Sequence, residues 1–563
     1  MDRVCSWPGR GASARRSLVL GLTLVASLAG PGPTAPAAAA ERKPVERRTP
    51  ALDLLKKKHP SAGFRLDPME SVEAPAARLA AQASGAAAAP AAAVGDYDRE
   101  RLLAGHLLRR ISFGPTPAEL TRVLKMGRVR YIDWQLNPAR IKDAAAMKKL
   151  PKAPRSIWDD YTRQRRWYAR MLYSQRQLQE RMTLIWHEHF ATSNEKVGTG
   201  LLMQKQEDTL RRHSLGDFRD FLIAITQDQA MLYWLDNDYN SGTERDDAGE
   251  LIPPNANYAR EFLQLFTLGP QLLNMDGTPI TDANGVALPS YTEQDVKQVA
   301  RALTGWYTDW PKYVKAKFDP WAHDSDPKTI LGTTIPGRQG VDGMNEVADV
   351  VDIVMQHQNL APFISKILIQ KLALEQPSPE YVFRVASVFA ASAGDIRQTV
   401  RAILTDPEFE SDAALRTQYK EPIEFFIGPL RALGGTTKGG HIVDWTYLTR
   451  QLVYYPPSVF SFYPPGQKRQ LVNTALVTYR DRGADELVTG WWDTSFNAAA
   501  LIKKNRLTTP EQTVDWLADA LLVGPLSSEV RDQAVAYMDG RVDDVKFKGA
   551  AWLILVSPDF QRN

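Results

Sequence analysis

Cysteine is nearly absent: Cys5 is the only one in 563 residues, and it lies in a stretch that reads as an export signal. Without that stretch the chain has no disulfide, thiol nucleophile or cysteine metal ligand. Stability must then come from core burial, for which 44% apolar residues are ample. An excess of one charge sign is also missing. The formal net charge is +4, and residues 1–40 hold Arg3, Arg10, Arg15 and Arg16 against Asp2, so most of the excess belongs to the extreme N-terminus. A near-neutral remainder does not make the field of a nucleic-acid or membrane-surface binder. Past the N-terminus no apolar run approaches the roughly 20 residues of a membrane span. The Gly-x-Ser-x-Gly elbow, the phosphate-binding glycine loop and the dinucleotide fingerprint are absent too. These absences disfavour an ordinary serine esterase and any nucleotide or flavin cofactor.

What is present begins with Arg15-Arg16, an apolar run over residues 18–29, and Ala38-Ala39-Ala40 before Glu41. The run spans about twelve residues, too short to cross a bilayer, and the order of basic, apolar and small residues is that of a secretory signal. Residues 1–40 are therefore expected to be a signal peptide and the chain to be exported, to the periplasm or beyond. Residues 41–95 are charged and then rich in alanine and proline, and are expected to form a disordered tether.

From Asp96 onward the apolar residues recur at the helical period, which predicts a mainly α, multi-helical globular domain. Helices are expected at 101–112, 116–126, 204–236, 254–268, 292–305, 344–374, 379–391, 394–404 and 420–433, with one long helix over 156–190. Asp276-Gly277 and Asn284-Gly285 predict a small hairpin insertion over 274–289. The main domain is placed at 96–436. Residues 437–563 form a C-terminal portion of the same domain, opening on an irregular aromatic and proline stretch (456–465). Its helices are expected at 508–523, 527–539 and 547–556.

Several constellations carry candidate chemistry. In Trp186-His187-Glu188-His189-Phe190 the two imidazoles stand about 200° apart on a helix, so a shared site requires unwinding near Glu188. His187 is taken as the site residue. On the 254–268 helix Asn257, Arg260, Glu261 and Gln264 form a polar stripe opposite Tyr258, Phe262, Leu265 and Phe266. An amide, a guanidinium and a carboxylate together suit either a pocket or a buried hydrogen-bonded network. Asn255 stands beside them. Thr292 and Asp295 have capping-box spacing, which leaves Glu293 as a candidate carboxylate. His323 and Asp324 follow an aromatic loop and supply a base or ligands for a hard metal. The alternating oxygens from Asp236 to Asn240 match a calcium loop weakly, because the turn glycine and the twelfth-position glutamate are missing.

Taken in order, these stretches resemble the bacterial family called domain of unknown function 1800. The match rests on His106-Leu107-Leu108-Arg109-Arg110, Arg181 with Trp186-His187 and His189-Phe190, and Leu235-Asp236-Asn237. It continues through Asn257-Tyr258-Ala259-Arg260-Glu261, Tyr291-Thr292-Glu293-Gln294-Asp295-Val296, Ala302-Leu303-Thr304-Gly305-Trp306 and His323-Asp324. Lys420-Glu421-Pro422-Ile423-Glu424 and the 458–465 stretch complete it. The resemblance implies a secreted, mostly helical protein, often encoded beside an exported sulfatase-like protein that is a candidate partner. It implies no established catalytic residue. Where the family tends to carry acids, this chain has Ala256 and Gln264, which would impair it if either acid were a ligand or a proton donor.

Two functional readings stand. In one the protein is a hydrolase or lyase acting on an extracellular polymer such as a polysaccharide. Glu261 or Glu293 is then the acid/base, His187 or His323 its partner, and Asn255, Asn257, Arg260 and Asp324 bind substrate; a divalent metal is compatible with this set. In the other it is a non-enzymatic scaffold for an exported partner, and the same motifs fix helix packing.

Overall fold

A computed structural model describes residues 98–309, 312–313, 315–463, 468–471 and 473–563. The expected signal peptide and tether lie outside these residues. The described residues contain 23 α-helices and only short antiparallel hairpins, so the protein is mainly α. No helix among them is long and apolar enough to cross a membrane.

Most helix boundaries follow local chemistry. Thr116 caps the helix Pro117–Met126 in a capping box with Glu119, and Thr292 caps Glu293–Ala302 in the same way with Asp295. The single helix expected over 156–190 is two helices, Asp160–Tyr173 and Gln177–Phe190. Ser174 is extended between them. Its hydroxyl donates to Asp143 at 2.8 Å, and the Gln177 amide donates to the carbonyls of Met171 and Ser174. Side chains thus satisfy the backbone groups that a continuous helix would have paired. The 204–236 segment likewise divides into Gly200–His213, Phe218–Thr226 and Gln229–Trp234, with Asp217 and Asp228 as new N-caps. The 344–374 segment divides into Glu346–Met355 and Leu360–Leu372.

Three C-terminal helices went unanticipated: Gly440–Leu448, Thr474–Thr489 and Ala498–Asn505. Gly440–Leu448 is buried on several sides, which blurs its apolar stripe, whereas Ala498–Asn505 buries only Ala498. The insertion at 274–289 holds both expected turns, and its three extended segments pair through Leu272, Ile280 and Leu288.

The core forms two clusters. One gathers the helices from residue 104 to 414, and the other joins the residue-423-to-560 helices to Trp167, Tyr168, Met171 and Leu202. The helix Gln177–Phe190 belongs to both, sending Met182, Ile185 and Phe190 to the first and Leu184 to the second. The C-terminal portion is therefore completed by helices more than 200 residues earlier in the chain.

Candidate functional site

The helix Gln177–Phe190 lies between the two cores, so successive residues at its C-terminal end meet different surroundings. His187 faces the second core. Its Nε2 accepts the Tyr454 N–H at 3.1 Å, and its ring meets Trp167 edge-on at 5.3 Å. Burial pulls its pKa down to about 3, so it is a neutral acceptor built into the packing. His189 points the other way, with Nε2 3.0 Å from the Phe266 carbonyl. A carbonyl only accepts, so this contact places the proton on Nε2 and leaves Nδ1 as an acceptor. Burial lowers its pKa to about 4.

The Phe266 carbonyl is presented by a widened turn. The helix Asn257–Glu261 runs into a π-helical segment, Phe262–Thr267, where Leu268 N–H reaches back to Leu263 at 2.9 Å. Such turns recur at functional sites because they free backbone groups from the regular ladder.

Glu188 takes a third direction. Its carboxylate lies 2.6 Å from Lys371 Nζ and accepts the Gln451 amide at 3.0 Å. The same amide donates to Glu421 at 2.8 Å, and Glu421 pairs with Lys468 at 2.9 Å. Arg181 and Glu424 form a further buried pair at 2.7 Å. Burial and the neighbouring Glu421 raise the Glu188 pKa. Against the penalty of burial, Lys468, Lys371 and Arg181 hold Glu421 well below the usual carboxylate range. The network joins one helix of the first core to the segments that carry the second.

Glu188, His189 and Lys371 line one cavity of about 360 Å³. Gln264 and Leu265 come from the π-helical segment, Phe363 and Lys366 from the helix Leu360–Leu372, and Phe460, Ser461 and Tyr463 from the aromatic and proline stretch. Ser461 sits at φ +71°, and its buried hydroxyl has no hydrogen-bond partner. Glu188 is the one carboxylate among the described lining residues.

The residues singled out from the sequence fall in three places. Arg260 and Glu293 form a forked surface pair at 2.9 and 2.7 Å, with side chains 40% and 59% exposed. Asn257 donates to Asp236 at 3.3 Å, and Asn255 exchanges hydrogen bonds with Asn240. Glu261 is half-buried beside them, and desolvation raises its pKa. His323 and Asp324 lie beneath the hairpins of residues 306–335. His323 Nδ1 is 3.2 Å from Thr304 and Nε2 is 3.4 Å from Glu346, which pairs with Lys328 at 2.8 Å. Asp324 forks with Arg301 at 2.6 and 3.0 Å. His187 packs in the second core.

Of the polar stripe only Gln264 lines the cavity; its one carboxylate and its imidazole are those of Glu188 and His189, beside Lys371. Lys371 carried a readable signal, a cation in register with the apolar face of Leu360, Ile364 and Leu368. The oxygens of the Asp236 loop diverge, toward Lys196 and Asn257 from Asp236, toward the backbone and hydroxyl of Thr308 from Asp238. Among the described residues no three His, Cys, Asp or Glu side chains gather to hold a metal ion.

The fold and cavity define a helical protein with a buried ionic floor under a concave site. The model of the family described as protein of unknown function (DUF1800) matches residues 106–562, and the chain belongs to that family. No curated protein and no solved structure matches it. Several of the stretches that carry the family resemblance meet here, with His189, Ser461 and Tyr463 lining the cavity and Arg181, Glu421 and Glu424 behind its floor.

Proposed function

We propose that the protein is an exported hydrolase or lyase that takes one unit of an extracellular polysaccharide into this cavity. The carrying observation is a neutral imidazole with an open Nδ1 beside a desolvated Glu188–Lys371 pair in one concave site. Perturbed ionisable groups in a pocket are the usual mark of a reactive site. Hydrolysis by paired carboxylates requires two acids flanking the bond, and only one lines this cavity. Elimination fits the residues better. His189 Nδ1 removes the proton α to a sugar carboxylate, Lys366 and Lys371 hold the negative charge that develops there, and the glycosidic C–O bond breaks as the double bond forms. The departing oxygen takes a proton from the imidazolium or water. Phe363 and Phe460 offer flat faces for the ring.

The test is to incubate purified protein with uronate-containing and neutral polysaccharides and follow the ultraviolet absorbance of the unsaturated product. The expected result is product from an acidic polymer with wild type, formed at least about a hundredfold more slowly with His189→Gln. No product from any polymer, or unchanged turnover in the variant, overturns the reading. A second reading, docking of the exported sulfatase-like partner, draws on Trp321 and Val341, which are 87% and 73% exposed. It predicts direct binding of that partner in purified form, lost in Trp321→Ala.

A further inference from the structure

A second cluster of ionisable side chains, held by the helices Gly440–Leu448 and Thr474–Thr489, has no part in the reading above. We propose that it is a second binding site, taking the primary ammonium group of an amino sugar on Asp444, His441 and Glu486.

His441 and Asp444 are three residues apart and share a helix face. Glu486 faces them from the helix Thr474–Thr489, with Oε2 3.8 Å from His441 Nε2. His441 is 1% exposed, and neither ring nitrogen has a hydrogen-bond partner; the buried Asp444 Oδ1 has none either. Buried polar groups are almost always paired, so acceptors from two side chains left open in one place point to a donor yet to arrive. Burial draws the His441 pKa down to about 4, which keeps the imidazole a neutral acceptor.

The charges around the cluster are one cation short of balance. Asp493 is already engaged by the N–H groups of Gly440 and His441 at 2.8 and 3.3 Å, and by Arg165 at 3.5 Å. Glu486 has Arg482 at 3.5 Å and the Trp445 indole N–H at 2.9 Å. Among the described residues no guanidinium or ammonium lies within ion-pair distance of Asp444, Arg165 acting on it only from farther off. Burial, with Asp493 and Glu486 nearby, raises its pKa to about 7, the response expected of a carboxylate that lacks a counter-ion. An ammonium group brings three N–H donors and one positive charge, which matches three acceptors and one unbalanced acid. The sugar is argued from the rim. Tyr161 lies under Arg165, Trp492 packs at Gly440, and Trp491 is 62% exposed, so flat aromatic faces border the acid cluster as they do in sugar sites.

The experiment titrates the full chain with D-glucosamine and with N-acetyl-D-glucosamine, whose amide carries no charge, reading heat and tryptophan fluorescence. Saturable glucosamine binding is expected, weakened at least about tenfold both by acetylation of the ligand and by Asp444→Asn. Thermal unfolding of Asp444→Asn is run in parallel, and the variant is expected to fold because it loses an unpaired acid. Equal binding of both sugars, binding unchanged in a folded Asp444→Asn, or no binding of glucosamine overturns the proposal.

Discussion

Replacing Lys371 by methionine tests whether the cavity floor is held by its buried ion pair. Lys371 Nζ lies 2.6 Å from Glu188, with side chains only 11% and 3% exposed. Unit charges at that separation attract by about 6 kcal/mol at an effective dielectric of about 20. Desolvation of both ions cancels much of this, so the variant measures chiefly the cost of leaving Glu188 buried and unpaired, about 3–5 kcal/mol. The cost is larger here because Lys371 also faces Glu421, and its removal leaves two carboxylates sharing the Gln451 amide and Lys468. Glu188 can relieve the strain by taking up a proton. Its folded pKa is already raised, and losing Lys371 raises it further. The native state then holds that proton more tightly than the unfolded chain. Stability should fall as pH rises from the ordinary carboxylate range through the raised value. Urea unfolding is expected to give a loss of about 3–5 kcal/mol near pH 8 that shrinks toward pH 5. The double variant Glu188→Gln/Lys371→Met should recover more than about half of the loss, because no lone charge remains. A loss below about 1 kcal/mol, the same loss at both pH values, or simple additivity in the double variant would refute the reasoning.

Asp444→Asn should stabilise the protein by about 1–3 kcal/mol above pH 7 and leave it unchanged below about pH 4, because the raised carboxyl pKa is a folded-state penalty that grows between those limits; urea midpoints across the range check this. Arg260→Ala should cost less than about 1 kcal/mol, since its pair with Glu293 is solvent-exposed, and a melting curve suffices. His187→Phe should cost about 1–3 kcal/mol by stranding the buried Tyr454 N–H, seen in urea unfolding. His189→Gln should keep the fold, by circular dichroism, while slowing any polymer cleavage by about 10²–10⁴-fold, the range for loss of a general base.

The opposition of His187 and His189 was legible from helical rotation alone, as were the capping boxes at Thr116 and Thr292. Which imidazole meets a cavity was not legible. His189 continues the apolar stripe of Met182 and Ile185, the mark of a core residue, yet that stripe ends where the first core opens. The polar stripe of Asn257, Arg260, Glu261 and Gln264 looked chemical by composition, but composition cannot tell that Arg260 forks with Glu293 at the surface while Gln264 lines a cavity. Asp324 and His323 read as a loop base, and the tertiary structure uses them under the hairpins with Arg301 and Glu346. The break at Ser174 escaped periodicity because its cause, Asp143, lies 31 residues away.

By itself the sequence determined the mainly α class, the helix ends marked by local caps, and the family, because caps, apolar period and ordered motifs are encoded in neighbouring residues. The tertiary structure alone decided that Glu188, Lys371, Gln451 and Glu421 form one buried network. It also decided that Gln264, Val459, Phe460, Ser461 and Tyr463 line one cavity. These groups are separated by up to 263 residues, and no local pattern records them. Their meeting is driven by burial of two apolar cores against opposite faces of a single helix, which leaves the charges between the cores no solvent to pair with and only each other.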